Sequence, residues 1–385
     1  MPFVAASSEH PLATHAVGEV VGEVLERLGT GPDLAVVFVT GPFAGATADI
    51  ARTIRELLWP ANLLAATAVS VVAGSHEIEG RAAVSLFAAS WGGRMRLGSR
   101  GARTVRFAAE REASGWHLTG TEQISEGDAT LLLLAEPNSF PLEESIEGLH
   151  ERHPNLTVVG ATASVPPTVG ANLLVADGHV QDHGAVGVLL PAGTPLRVGV
   201  SQGSRPVGPA LVVTAADGNL IEEIAGRPAL DRLMEIVEDA DPLTKHAMAS
   251  GLGLGIVLDE SHDEPEPGDV LVRPVLGGER NRRAVAVGSV VDVGTTVQFQ
   301  VRDPTAADDD LHGLLDGEEA EAALVFKSEQ RGEAFFGFPD HDAAVVDGHV
   351  RAGATAGMFG TNVTGPVAGM PAVHDRSAVV VLFDA

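Results

Sequence analysis

Apolar residues along this chain fall into short unbroken runs and into sets spaced three and four apart, and the two patterns alternate. DLAVVFV (33–39), DATLLLLA (128–135) and EAALVFK (321–327) have strand character, as do RAAVSLFA (81–88), HGAVGVLL (183–190) and RSAVVVLF (376–383). Helical spacing appears at Ala16, Val17, Val20, Val21, Val24, Leu25 and Leu28. It recurs over 46–58, with Ile50, Ile54, Leu57 and Leu58 on one face, and over 141–153, with Leu142, Ile146 and Leu149; Pro60 and Pro154 stop these two helices. A further helix is predicted from about Pro228 into the 240s, with Leu230, Leu233, Met234 and Val237 inward. Residues 105–120 and 210–224 read as hairpins, the second turning at Asp217-Gly218. The stretches 259–269 and 303–310 read as acidic surface loops, the second capping a helix over Leu311, Leu314 and Leu315.

The chain also repeats itself. Ala65-Ala66-Thr67-Ala68, Gly160-Ala161-Thr162-Ala163 and Gly353-Ala354-Thr355-Ala356 each follow one apolar run and precede another. The threonine lies about 30 residues beyond the middle of the first run in every copy. The unit reads as strand, helix, second strand carrying the small-residue peptide, loop, third strand. The helix is weakest in the third copy, where RGEAFFGF (331–338) reads as strand and HDAAVVDGHV (341–350) as a short helix. The expected fold class is α+β, mixed β-sheets flanked by helices, with a β-α-β-loop-β pseudo-repeat in three recognisable copies. A division after the second copy gives two domains, 1–195 and 196–385.

Charge and composition narrow the function. Across 385 residues, 25 Lys+Arg stand against 52 Asp+Glu, a formal net charge of -27. So acidic a chain repels phosphate backbones and anionic lipid, which argues against nucleic-acid and membrane partners. With no cysteine, disulfides, thiolate metal sites and thiol nucleophiles are excluded. No secretory signal or membrane-length apolar run is read, and a cytoplasmic location is expected. Only Lys245 and Lys327 are lysines; the preference for arginine suggests a GC-rich bacterial genome.

Several motifs invite chemistry. Gly199-Val200-Ser201-Gln202-Gly203 fits a nucleophile elbow, but Pro206 and Pro209 follow where the elbow needs a helix. No lysine follows a glycine, which removes the phosphate-cradling lysine loop. Gly251, Gly253 and Gly255 lead into a strand rather than a dinucleotide-binding helix and are read as close packing. His179 and His183 lie four apart beside a turn, a poor metal-ligating arrangement on a strand. Arg205 and Arg331 stand isolated amid Gly, Pro and Ser, suited either to a ligand carboxylate or phosphate or to an ion pair with a residue such as Glu329 or Asp340. The recurring small residues fit either a ligand-approaching strand end or tight packing.

The run from VVFVTG through LLAATAVSVVAGSHEIEG to AVSLFAAS resembles a FIST N domain. GVSQGSRPVGPALVVTAADGNLIEEIAGRPAL, RPVLGG, FKSEQRGEAFFG, PDHDAAV and AGATAGMFGTNVTGPVAG are similar to the FIST C region. The resemblance covers almost the whole chain in order. It implies a non-enzymatic intracellular small-ligand sensory module, with a protein-interaction scaffold carrying a vestigial pocket, or a haem-based gas sensor, as alternatives. Carboxylates or amino acids are the expected ligands and a signalling protein a possible partner. With no Cys or Tyr, a haem would take its axial ligand from 14 histidines and 6 methionines. Arg205-Pro206, Gly208-Pro209, Arg331-Gly332, Asp340-His341 and Gly365-Pro366 match the family pattern. Ser204 and Ser328 stand where relatives commonly carry cysteine, Glu329-Gln330 where they carry Asn-Gly, and Asn362-Val363 where they carry Gly-Glu. The expected ligand-binding residues are Thr162, Ser204, Arg205, Ser328, Arg331, His341, Thr355 and Asn362, around the GSRP, SEQRG and TNVTGP loops.

Overall fold

The computed structural model describes residues 2–91, 101–112, 115–167, 171–262, 265, 268–351 and 353–384. Residues 113 and 114 of the predicted 105–120 hairpin and part of the acidic loop 259–269 lie outside them. The chain forms two compact units: Met1–Val200 with Leu315–Pro366 and Met370–Ala385, and Ser201–Leu314 with Val367–Gly369.

The first unit contains the triplication. In each copy the second strand runs parallel to the first, and the third runs antiparallel on the first strand's other side. The sets are Leu34–Thr40, Leu63–Ala68 and Val84–Ala89; Asp128–Ala135, Thr157–Thr162 and Ala185–Pro191; Ala322–Ser328, Thr355–Gly360 and Ala378–Phe383. Each set gains an outer strand beside its third: Phe3–Ser8, Arg103–Glu112 and Leu196–Ser201. The predicted loop between second and third strands contains a two-stranded hairpin, and that hairpin leaves its own sheet. Ser70–Ala73/His76–Glu79 of the first copy pairs with the third copy's Thr355–Gly360. Leu174–Ala176/His179–Gln181 of the second pairs with the first copy's Leu63–Ala68. Val363–Val367/Met370–His374 of the third joins the second copy's Thr157–Thr162. The three copies therefore exchange hairpins in a cycle.

Strand alternation places the core. Val36, Phe38, Leu132, Leu134, Leu324 and Phe326 point into one apolar core common to the three sheets. The alternate residues Ala35, Val37 and Val39 meet helices Ala13–Arg27 and Thr47–Leu58, and Leu131 and Leu133 meet helix Leu142–Arg152. Both faces are covered, which is why the strands read as unbroken apolar runs. Backbone crowding requires glycine at Gly160 and Gly357, where a Cβ would lie 1.8 Å from the Leu133 carbonyl oxygen and 2.0 Å from that of Val325.

Two features of the third copy differ from the sequence reading. Residues 331–338 hold a short helix, Glu333–Phe336, instead of a strand. The small-residue peptide is also out of step: Thr67 and Thr162 lie at the ends of their second strands, whereas Thr355 opens its own. The repeat is real, but its third marker peptide is not the counterpart of the other two.

The second unit is an antiparallel-rich sheet with helices. Leu211–Asp217 and Leu220–Ile224 form the predicted hairpin about Gly218. The helix predicted from 228 is two, Ala229–Asp239 and Pro242–Ser250, because Asp241 caps the second by accepting hydrogen bonds from the Leu243 and Thr244 N–H groups. Met234, expected inward, is 50% exposed. Residues 304–310 are helix rather than loop: Pro304–Leu315 is continuous, and Asp303 accepts from the Ala306 N–H at its start. Gly253 and Gly255 lie within strand Leu252–Val257, where added Cβ atoms would meet Val272 and Val270 side chains, in keeping with close packing.

Candidate functional site

In strand Ala322–Ser328, Leu324 and Phe326 face the core, so alternation sends Lys327 to the outer layer. There helix His341–Asp347 and the exchanged hairpin strand His76–Glu79 meet it. Lys327 is fully buried, and its Nζ lies 2.5 Å from Glu77 Oε1 and 2.9 Å from Asp342 Oδ2. The ammonium also sits 4.6 Å from the centroid of the Phe359 ring. Arg331, equally buried, donates from Nε to Asp342 Oδ2 at 2.8 Å and from Nη2 to Oδ1 at 3.2 Å. His341 places Nδ1 2.9 Å from Asp342 Oδ1 while its ring stacks on Phe336 at 3.6 Å. The Ala343 N–H donates to Glu77 Oε1 at 3.1 Å. Glu77 Oε2 is buried and accepts no hydrogen bond among the described residues.

Two cations and two carboxylates thus share one buried site, and their environments pull the carboxylates apart. Burial pushes the Glu77 carboxyl above its ordinary value, outweighing the pull of Lys327, and the neighbouring Asp342 charge adds to the rise. Burial acts on Asp342 in the same sense, but the adjoining Arg331 and Lys327 charges overcome it and hold this carboxyl far below the ordinary range.

Of the residues expected to bind a ligand, Ser328, Arg331 and His341 gather here. The Ser328 hydroxyl accepts from the Gln330 N–H at 3.3 Å. Arg331 does form an ion pair, but its partner is Asp342, not Glu329 or Asp340. Asp340 instead receives the Glu77 N–H at 2.6 Å, tying the foreign hairpin to the start of the helix. Thr162 and Asn362 bond to each other where the third copy's hairpin joins the second sheet: each accepts the other's N–H at 3.0 Å, Thr162 through Oγ1 and Asn362 through its carbonyl. Thr355 donates to Asp347 Oδ1 at 2.7 Å, and its carbonyl accepts the Gly74 N–H. Ser204 and Arg205 belong to the second unit, in strand Ser204–Pro206, where Arg205 pairs with Asp303 at 3.0 Å.

Lys327, Glu77 and Asp342 were not among the expected residues. One signal did exist: of two lysines in the chain, one interrupts an apolar strand. Glu77 carried none, because the exchange that delivers it joins residues 250 positions apart.

The remaining motifs resolve simply. Ser201 is buried at the end of its strand, a second strand follows instead of a helix, and its hydroxyl donates to Asp310 at 2.9 Å, so no nucleophile elbow forms. His183 lies 3.1 Å from Asp182, on the exposed surface. A groove of about 650 Å³ beside helix Thr47–Leu58 is lined by neither histidine nor methionine, so its residues do not fit a haem. Among the described residues, no helix is long and apolar enough to cross a membrane.

The FIST N domain matches residues 33–227 and the FIST C domain residues 229–361. An uncharacterized protein of Mycobacterium tuberculosis is 37% identical over 98% of both chains. Another, of Mycobacterium bovis, is 36% identical over 97% of this chain and 96% of its own. With both domains matched in order and relatives this similar from end to end, the chain belongs to the FIST family.

Proposed function

We propose that this protein is a non-enzymatic sensor of a small zwitterion of the amino-acid kind, bound at the Lys327, Arg331, Glu77 and Asp342 cluster. One observation carries the reading. The residue that follows the last core-facing position of the first strand (Phe38, Leu134 and Phe326) is Val39 in the first copy and Ala135 in the second, both buried, and Lys327 in the third. The fold therefore accepts an aliphatic side chain at this place. Buried ion pairs contribute little net stability over such a replacement, so retaining four charges here is better explained by recognition than by folding. The cluster offers both signs at close range: the Arg331 fork already holds one carboxylate, that of Asp342, and Glu77 has an uncommitted oxygen for an ammonium group. The departures at Ser328 and Glu329-Gln330 lie beside these charges and point to a ligand of this member's own.

Thermal unfolding in the presence of amino acids, dicarboxylates and haem tests the reading, with an absorbance scan for a Soret band. Amino acids are expected to raise the unfolding midpoint of the natural protein and to leave that of Lys327→Met/Glu77→Gln unmoved. Failure of every amino acid to shift the natural protein, or an equal shift in the double variant, overturns it.

A further inference from the structure

The cyclic hairpin exchange creates three comparable seams, each between one copy's helix and another copy's hairpin. In the third copy, charges fill the seam between helix His341–Asp347 and His76–Glu79. In the second, helix Leu142–Arg152 packs directly on Met370–His374, with Val373 against the core that includes Ile146 and Leu149. In the first, between helix Thr47–Leu58 and the hairpin Leu174–Ala176/His179–Gln181, the seam is open, and the 650 Å³ groove lies there. That volume is in the range of small-molecule sites.

Its lining has a definite chemistry. Ala48, Ala51, Val175 and Val180 make apolar walls, and Trp59, 74% exposed, joins the lining. Trp59 takes a left-handed conformation, φ 54° and ψ 48°, at a helix end where glycine is the usual residue. Its indole N–H donates to the Glu56 carbonyl at 2.6 Å, which holds the ring in one orientation. Arg52 is neutralised by Asp49. Arg55 is not neutralised: it donates to the Asp177 carbonyl at 2.6 Å and has no carboxylate partner among the described residues. A guanidinium with no carboxylate partner, on the groove wall of a chain of net charge -27, suits an incoming anion. Glu56, also on the wall, repels an anion from its own side and so confines negative charge to Arg55.

We infer that the groove is a second small-molecule site, for an aromatic carboxylate whose ring lies on Trp59 and whose carboxylate engages Arg55. This does not rest on the proposed sensing site. Stacking on a fixed exposed indole supplies the apolar contact, and Arg55 supplies the bidentate partner.

Calorimetric titration of the full chain with indole-3-carboxylate and benzoate, and with neutral benzamide, tests the inference. Saturable one-to-one binding of the carboxylates is expected at up to millimolar concentration, with benzamide at least about tenfold weaker. Arg55→Gln and Trp59→Gly are each expected to weaken carboxylate binding about tenfold or more. Trp59→Gly removes the ring while relieving the left-handed strain, so its unfolding midpoint should not fall, and lost binding cannot then be lost folding. Lys327→Met/Glu77→Gln should bind as the natural protein does, which separates this site from the charged cluster. The inference is overturned by absent saturation, by benzamide binding equally well, or by binding that survives both groove substitutions or vanishes with Lys327. A dimer in solution that Trp59→Gly dissolves would also overturn it, assigning the groove to a second copy of the chain.

Discussion

Replacing Lys327 by methionine isolates the energetics of the buried cluster, because the three groups it touches respond differently. Asp342 retains two bonds from Arg331 and one contact with His341, so it remains a satisfied anion. Glu77 retains only the Ala343 N–H and is left a buried carboxylate without a cation. Losing one partner of a buried pair ordinarily destabilises by about 3–5 kcal/mol. Here Glu77 can escape by taking up a proton. Holding that proton from its ordinary value of 4.5 up to pH 7 costs about 1.4 kcal/mol per pH unit, or about 3.4 kcal/mol, which limits the loss that passes through Glu77.

The sign of the pH dependence follows. Burial already raises the Glu77 carboxyl and Lys327 is the charge that pulls it down, so the folded variant should hold this proton more tightly than the unfolded chain does, and stability should fall as pH rises above 4.5. Urea unfolding followed by circular dichroism should show Lys327→Met about 3 kcal/mol less stable than the natural protein at pH 7, the deficit shrinking as pH falls towards 4.5. Lys327→Met/Glu77→Gln keeps an acceptor for the Ala343 N–H and removes the titrating group. Its pH slope should vanish, and its stability should return to within about 1 kcal/mol of the natural protein or exceed it. A single variant of natural stability with no pH slope refutes the reasoning. So does a double variant as unstable as the single one, since the lysine would then be holding the fold rather than the charges.

Two further outcomes are expected. Asp342 titrates far below its ordinary 3.8 in the folded chain, so the stability it contributes is complete above that pH and is lost as pH falls below it towards the folded value; acid titration of Asp342→Asn should show a protein weaker at neutral pH but losing less on acidification. Gly160→Ala forces a Cβ to 1.8 Å from the Leu133 carbonyl oxygen at a φ of 151°, and should destabilise by more than about 3 kcal/mol, seen as a lowered urea midpoint or loss of soluble protein.

The triplication was legible because strands covered on both faces keep an unbroken apolar signature that survives divergence of everything around them. The helices Ala13–Arg27, Thr47–Leu58 and Leu142–Arg152 were legible for the related reason that each buries one stripe. Short elements were not. Glu333–Phe336 is a single turn whose paired aromatics mimic a strand, and Pro304–Leu315 begins in an acidic stretch that reads as loop until Asp303 is seen to cap it. Thr355 misled because a four-residue peptide of small residues recurs without structural equivalence. Of the charged site, Ser328, Arg331 and His341 came from the family pattern, while Glu77 depends on which sheet a hairpin joins, a fact that no local pattern encodes.

That exchange also explains why chemistry collects where it does. A hairpin paired within its own copy would meet only side chains from that copy, and each seam would be set by one repeat. Crossing to a neighbouring sheet makes every seam a junction of two repeats, so a change in either copy alters one seam and leaves the other two intact. The second seam is filled by Val373 and its apolar neighbours, the third by Lys327, Glu77 and Asp342, and the first keeps Trp59 and Arg55 around open space. Because the common core is built from the opposite faces of the same strands, these differences leave Phe38, Leu134 and Phe326 in place. Side chains can therefore diverge at the seams without the change being transmitted to the residues that hold the three sheets together.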